Sequence, residues 1–195
     1  MIYDELATEL EEAWTKVGLH EHLVVESIVP DVLERAYRAE LFPDPPESFM
    51  PEAAPPWVEV SFSWRAEHQV YSERSEGRSI SLELAWTYTV DVRSQADRND
   101  TELIRAFHAA VHVALQRITP DIPQETEYVA VEVRRGYRSI HTNPTLAYVQ
   151  MIGTNVTDLG NLWDVASTKD LRGILHSECS LVMSVLQSLK EVFVQ

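Results

Sequence analysis

The sequence predicts an α+β fold: an antiparallel β-sheet built around a long hairpin, with helices packed mainly on one face. Two observations carry this reading. In the run from Ile80 to Val92, seven apolar residues (Ile80, Leu82, Leu84, Trp86, Tyr88, Val90 and Val92) alternate without a break against polar or small ones, which is the period of a half-buried strand. Upstream, Val58, Val60, Phe62 and Trp64 alternate in the same way with Glu59, Ser61 and Ser63, so the two runs pair as a hairpin with one apolar and one polar face.

The remaining elements follow in order. Leu6, Leu10, Ala13, Trp14 and Val17 recur at helical spacing and predict a helix from Tyr3 to Val17, with Asp4 at its start and Gly18 as its stop. Leu23 to Val29 is short, β-branched and closed by Pro30, so it reads as a strand. Asp31 then opens DVLERAYRAEL, which reads as a short helix. Residues 42–57 hold six of the ten prolines, and proline removes donors and restricts the residue before it. The segment is therefore an extended surface loop, or an arm lying across a neighbouring subunit with Phe42, Phe49, Met50 and Trp57 as anchors.

After the polar loop SQADRND, Asp100 is placed to cap a helix over Thr101 to Ile118, whose buried stripe is Leu103, Ile104, Phe107, Val111, Ala114, Leu115 and Ile118. Pro120 and Pro123 follow it. Glu127 to Arg134 and Thr145 to Ile152 read as two further strands, with a loop at Asn143-Pro144 between them. In the last segment Leu171, Leu175, Val182, Leu186, Leu189 and Phe193 share a helical face opposite Ser177, Ser180, Ser184 and Ser188. Cys179, Leu181, Met183 and Val185 also alternate as a strand would; helix is preferred, with Ser167 and Asp170 as a capping box. The chain is expected to form a single domain over residues 1–195.

Composition narrows the function classes. Sixteen Lys and Arg against 31 Asp and Glu leave a formal charge of −15 over 195 residues. That balance argues against a duplex-binding module, which must neutralise phosphates, and no sequence-specific nucleic-acid partner is expected. With 45% hydrophobic residues the chain can build a real core. One cysteine, Cys179, excludes an internal disulfide framework and a multi-cysteine metal site; it reads as a small core residue rather than a nucleophile. MIYDELATEL lacks the basic and apolar regions of a secretory leader, and no run is long and apolar enough to span a bilayer, so neither leader nor membrane partner is expected.

No GxSxG elbow, phosphate-binding glycine loop or CxxC pair occurs. His108 and His112 have the i, i+4 spacing of metal ligands, but HAAVH lacks the glutamate of a zincin. They read as a histidine at the margin of the apolar stripe and one on the polar face. His20 and His22, two apart beside a glycine turn, are not read as a metal site, and Asp91, Asp97 and Asp100 lack the spacing of a calcium loop. No catalytic, cofactor-binding or metal-ligating residue is assigned, no cofactor is expected, and the chain is not expected to be an enzyme. The single basic patch is RRGYR, where Arg134, Arg135 and Arg138 surround Tyr137; in so acidic a chain it is suited to an acidic protein neighbour.

The order of elements carries a resemblance. A strand feeding a polar loop and then an amphipathic helix, TYTVDVRSQADRNDTELIRAFHAAVHVALQRI, follows a proline-marked entry into the hairpin and an N-terminal amphipathic helix. This layout resembles the tail-terminator and tail-completion proteins of bacteriophages over Trp57 to Ile118. The long proline loop and the segment after Pro123 depart from a minimal member. The resemblance implies a structural virion protein of the tail or neck, assembled in the host cytoplasm. It would form a homo-oligomeric, hexameric ring that contacts the tail tube and head–tail connector proteins. Phe49, Met50, Trp57, Arg134, Arg135 and Arg138 are then the expected subunit-interface residues. The competing expectation is an acidic monomeric or dimeric binding protein, of immunity or inhibitor type, that targets a basic partner.

Overall fold

A computed structural model describes residues 2–29, 34–45, 54–65, 82–120, 128–140, 143–159 and 168–194. These form α1 (Ile2–Lys16), β1 (His20–Val29), β2 (Glu34–Phe42), β3 (Trp57–Arg65), β4 (Glu83–Asp91), α2 (Asp100–Ile118), β5 (Ala130–Ile140), β6 (Asn143–Asp158) and α3 (Thr168–Phe193). The strands make one six-stranded sheet in the order β1-β2-β3-β4-β6-β5, and each neighbouring pair is antiparallel. The fold class is α+β, as the alternating runs predict.

Register places the apolar residues of the central strands on one face. Tyr37 lies across from Phe62, Val60 from Trp86, Tyr88 from Gly153 and Val90 from Met151, and all but the glycine belong to the buried core. The three helices cover this face. α3 runs between α1 and α2, packing against both, and onto β3 and β4. Its apolar face (Leu171, Leu175, Val182, Leu186, Leu189 and Phe193) is buried, which settles the helix-or-strand ambiguity in favour of helix. Ser188 departs from its expected solvent-facing position: it is 2% exposed, because α3 is packed on more than one side.

α1 ends as its sequence directs. Gly18 adopts φ of +82°, and the amides of Gly18 and Leu19 donate to the carbonyls of Thr15 and Trp14 at 3.1 and 3.0 Å. That is the paired closure of a helix by a left-handed glycine. Aromatic packing ties α1 to the sheet: the Tyr37 ring stacks on Phe62 at 5.0 Å and lies 6.4 Å from Trp14, while Tyr3 meets Phe62 at 5.4 Å. At the far end, Gly153 leaves the space that Phe107 of α2 fills; a Cβ there would lie 2.6 Å from the ring.

Three expectations need correction. The segment after Asp31 is a strand from Glu34 and not a helix, because Tyr37, Ala39 and Leu41 point into the core while β1 and β3 flank both edges. Asn99, not Asp100, caps α2: its side chain accepts from the Glu102 amide at 2.9 Å, and Asp100 is the first helical residue. Asn143-Pro144 is no loop but the start of β6, paired with Ile140 and Ser139. β6 also continues past Ile152 to Asp158, giving β4 a partner along its whole length. Ile80, Glu127 and Ser167 lie outside the described residues.

Candidate functional site

The face of the sheet away from the helices presents cross-strand rows. One row runs Leu23, Glu40, Glu59, Thr87, Thr154 and Ala130; the next runs Val25, Arg38, Ser61, Ala85 and Val156. Arg38 neutralises the acidic step in these rows, lying 3.4 Å from Glu59 and 3.7 Å from Glu40. Leu23, Val25 and Val156 stay exposed. At one end of the sheet Trp57 stacks on Phe42 at 6.1 Å, with the His22 ring edge-on to Phe42 at 5.7 Å.

The two sheet edges differ in chemistry. β1 pairs only with β2 among the described residues and reads HEHLVVESIV, with two glutamates and no Lys or Arg. Leu23, Val24, Val25 and Ile28 are all exposed there, Ile28 at 70%. β5 pairs only with β6 among the described residues and carries the basic patch. The β5–β6 register shifts between Gly136 and Tyr137. The Tyr148 ring lies where a Cβ of residue 136 would fall, so a side chain there would require that exposed ring to move aside.

The three arginines of the patch do different things. Arg134 pairs with Glu132 on its own strand. Arg135 is turned inward: it donates to Asp100 Oδ1 at 2.8 and 3.1 Å and to the carbonyls of Ala96 and Arg98 at 3.0 Å, locking β5 to the start of α2. Arg138 is exposed and has no ion-pair partner among the described residues. Tyr137 beside it is 64% exposed. Of the expected interface residues, Trp57 lies at the Phe42 stack, the arginines lie on the β5 edge, and Phe49 and Met50 fall outside the described residues.

A polar cluster beneath α3 escaped the sequence reading. Trp86 Nε1 donates to Thr157 Oγ1 at 3.0 Å, whose hydroxyl donates to Glu178 Oε2 at 2.8 Å. Tyr88 is fully buried beside Tyr128, and among the described residues neither hydroxyl has a partner within hydrogen-bond geometry. Burial above all, then Tyr128 and Glu178, pushes the Tyr88 phenol well above its ordinary range; burial and Glu178 raise Tyr128 as well. Burial and Glu178 likewise push the Cys179 thiol up to about 12. A thiol so placed is protonated at neutral pH and is a poor nucleophile, matching its reading as a core residue. The alternation of Trp86 and Tyr88 signalled their burial; nothing in the sequence signalled that Thr157 and Glu178 would meet them, since that depends on how α3 crosses the sheet.

The histidines correct one expectation. His112 is not on a solvated face: it is half-buried, and among the described residues neither of its buried ring nitrogens has a hydrogen-bond partner. Among the described residues no three His, Cys, Asp or Glu side chains gather as a metal site, and no helix is long and apolar enough to cross a membrane. Comparison with family models, curated proteins and solved structures finds no match.

Proposed function

We propose that this chain is a structural subunit of a phage tail or tail-like particle, a ring-forming tail-terminator or neck protein acting through protein–protein contacts. Its partners are further copies of itself, a hexamer by the resemblance, together with the tube below and the head–tail connector above. It works in the virion after assembly in the host cytoplasm. The observation that carries the reading is the layout of the β3–β4 hairpin and α2. The hairpin feeds an amphipathic helix that lies across a sheet whose opposite face and both edges have no partner among the described residues. A subunit built this way has surface to give to neighbours on two sides, as a closed ring requires. The charge of −15 per copy also suits a channel through which DNA must pass without sticking.

The test is the mass of the purified protein by light scattering after size exclusion, with negative-stain images of the main peak. Rings of about six copies support the proposal. A monomer that also fails to join isolated tail tubes overturns it. The second reading, an acidic binding protein, would then lead: the exposed Glu21 and Glu26 on an open strand fit a basic partner, and a pull-down would identify it.

A further inference from the structure

We infer that copies of this chain associate head to tail through their sheet edges, β1 of one copy pairing antiparallel with β5 of the next. The copy number rests on the ring reading above; the pairing does not.

Strand parity is the first support. The sheet has six strands and every neighbour is antiparallel, so β1 and β5 run in opposite directions. A second copy placed beside the first, in the same orientation, therefore offers its β1 to the first copy's β5 as another antiparallel neighbour. The helices of both copies stay on the same side. Backbone donors and acceptors that have no strand partner among the described residues on the two edges would then pair, which is how a strand edge is ordinarily recognised.

Charge is the second. β1 holds Glu21 and Glu26 without a basic residue, whereas β5 holds Arg134, Arg135 and Arg138 against one Glu132. Pairing β1 with β1 would gather glutamates and leave β5 bare. Pairing β1 with β5 opposes the signs and uses both edges.

The offset of the edges is the third. Following the pairing rows across the sheet, Glu21 is level with Val131 and Leu23 with Ala130. β1 therefore extends one way from this level and β5 the other. Centring one on the other displaces the next copy by about seven residues along the strands; only an even displacement keeps the faces matched, and eight, about 26 Å across a sheet about 29 Å wide, is the one that sets Glu26 beside Arg135. That stagger tilts the strands about 40° from the axis of closure, within the range of closed sheets. The same register sets Ser27 beside Arg134, Glu26 beside Arg135 and Ile28 beside Val133, and brings Glu21 to the Arg138 end of β5. Glu26 already faces Arg35 at 3.6 Å and Arg135 holds Asp100, so the junction would join two existing ion-pair clusters.

The test uses the full chain with Ser27→Cys in one preparation and Arg134→Cys, on a larger tag, in another, treated with a short bis-maleimide. Cys179 is buried, and the wild-type chain controls for its reaction. A covalent heterodimer from the mixture, with no dimer from either variant alone, is the expected result. Dimer from Ser27→Cys alone would show β1 pairing with itself and overturn the inference. Assembly by light scattering without any cross-link would also overturn it, and so would a chain that stays monomeric throughout. The double variant separates the two readings: a ladder that stops at one ring size supports both, and an open ladder keeps the pairing while ending the ring. Arg138→Glu, with its circular dichroism unchanged, weakens association about tenfold.

Discussion

At the scale of single residues, stability in this molecule is set by a few positions with no spare room. Gly153 faces the core with the Phe107 ring where a side chain would go. A methyl there must push α2 off the sheet, and overpacking of this kind costs about 1–3 kcal/mol. Gly153→Ala should therefore lower the urea midpoint with the slope unchanged; an unaltered midpoint would mean that α2 can shift freely. Tyr88, Tyr128 and Cys179 make a second residue-level prediction. Their folded pKa values lie above the unfolded ones, 10.0 for the tyrosines and 9.0 for the thiol, with burial as the main cause. The native state therefore holds these protons longer than the unfolded chain does. The stabilisation is complete below about pH 9 and is lost as pH rises toward the folded values. Urea midpoints should be flat from pH 7 to 9 and fall above it. Tyr88→Phe should soften that fall and, because it removes a buried hydroxyl without a hydrogen-bond partner among the described residues, leave stability at pH 7 equal or higher by about 1 kcal/mol. A steeper alkaline loss in Tyr88→Phe would contradict this.

At the scale of elements, the contrast between Asn99 and Asp100 separates a cap from a tether. Asn99 satisfies an otherwise free amide in the first turn of α2, so Asn99→Ala should cost about 1 kcal/mol by thermal or urea unfolding. Asp100→Ala leaves that cap in place and removes the carboxylate holding Arg135, whose bonds to the Ala96 and Arg98 carbonyls remain, so its effect should appear as a modest rise in amide exchange in β5. The same pair shows how much of the fold was legible in advance. The sequence makes Asn99 and Asp100 equally good caps, and only the turn after the Arg93–Gln95 helical segment chooses between them. β2 failed for a different reason. In ERAYRAELF the alternation of Tyr37, Ala39 and Leu41 was present, but Glu, Arg, Ala and Leu are strong helix formers and Asp31 mimicked a cap. Pairing on both edges then overrode propensity. β3, β4 and the helices were readable because one buried face imposed an uninterrupted period. The polar cluster at Glu178 was not readable, because it joins residues whose meeting is decided by helix crossing alone. Neither was the division of labour among Arg134, Arg135 and Arg138, since only the β5–α2 junction turns Arg135 inward.

At the scale of the whole molecule, two electrostatic effects of opposite sign act on assembly, and salt distinguishes them. Each copy carries −15, so copies repel one another at long range. The edges oppose glutamates to arginines, so at contact they attract. The contact pairs are solvent-exposed, and exposed pairs contribute about 0–1 kcal/mol each; their role is to decide which edge meets which. The repulsion acts between whole subunits and reaches about 30 Å at 0.01 M salt but only about 8 Å at 0.15 M. Repulsion therefore dominates at low salt and is screened first, leaving backbone pairing and the exposed Leu23, Val24, Val25 and Ile28 to hold the copies together. Raising sodium chloride from about 0.01 to about 0.15 M should increase the assembled fraction measured by light scattering. Arg138→Glu should lower that fraction at both salt concentrations, since it removes an attraction without lifting the repulsion. If assembly instead weakens steadily with salt, the edge charges supply the affinity itself, and the apolar strip of β1 contributes little to holding one copy against the next.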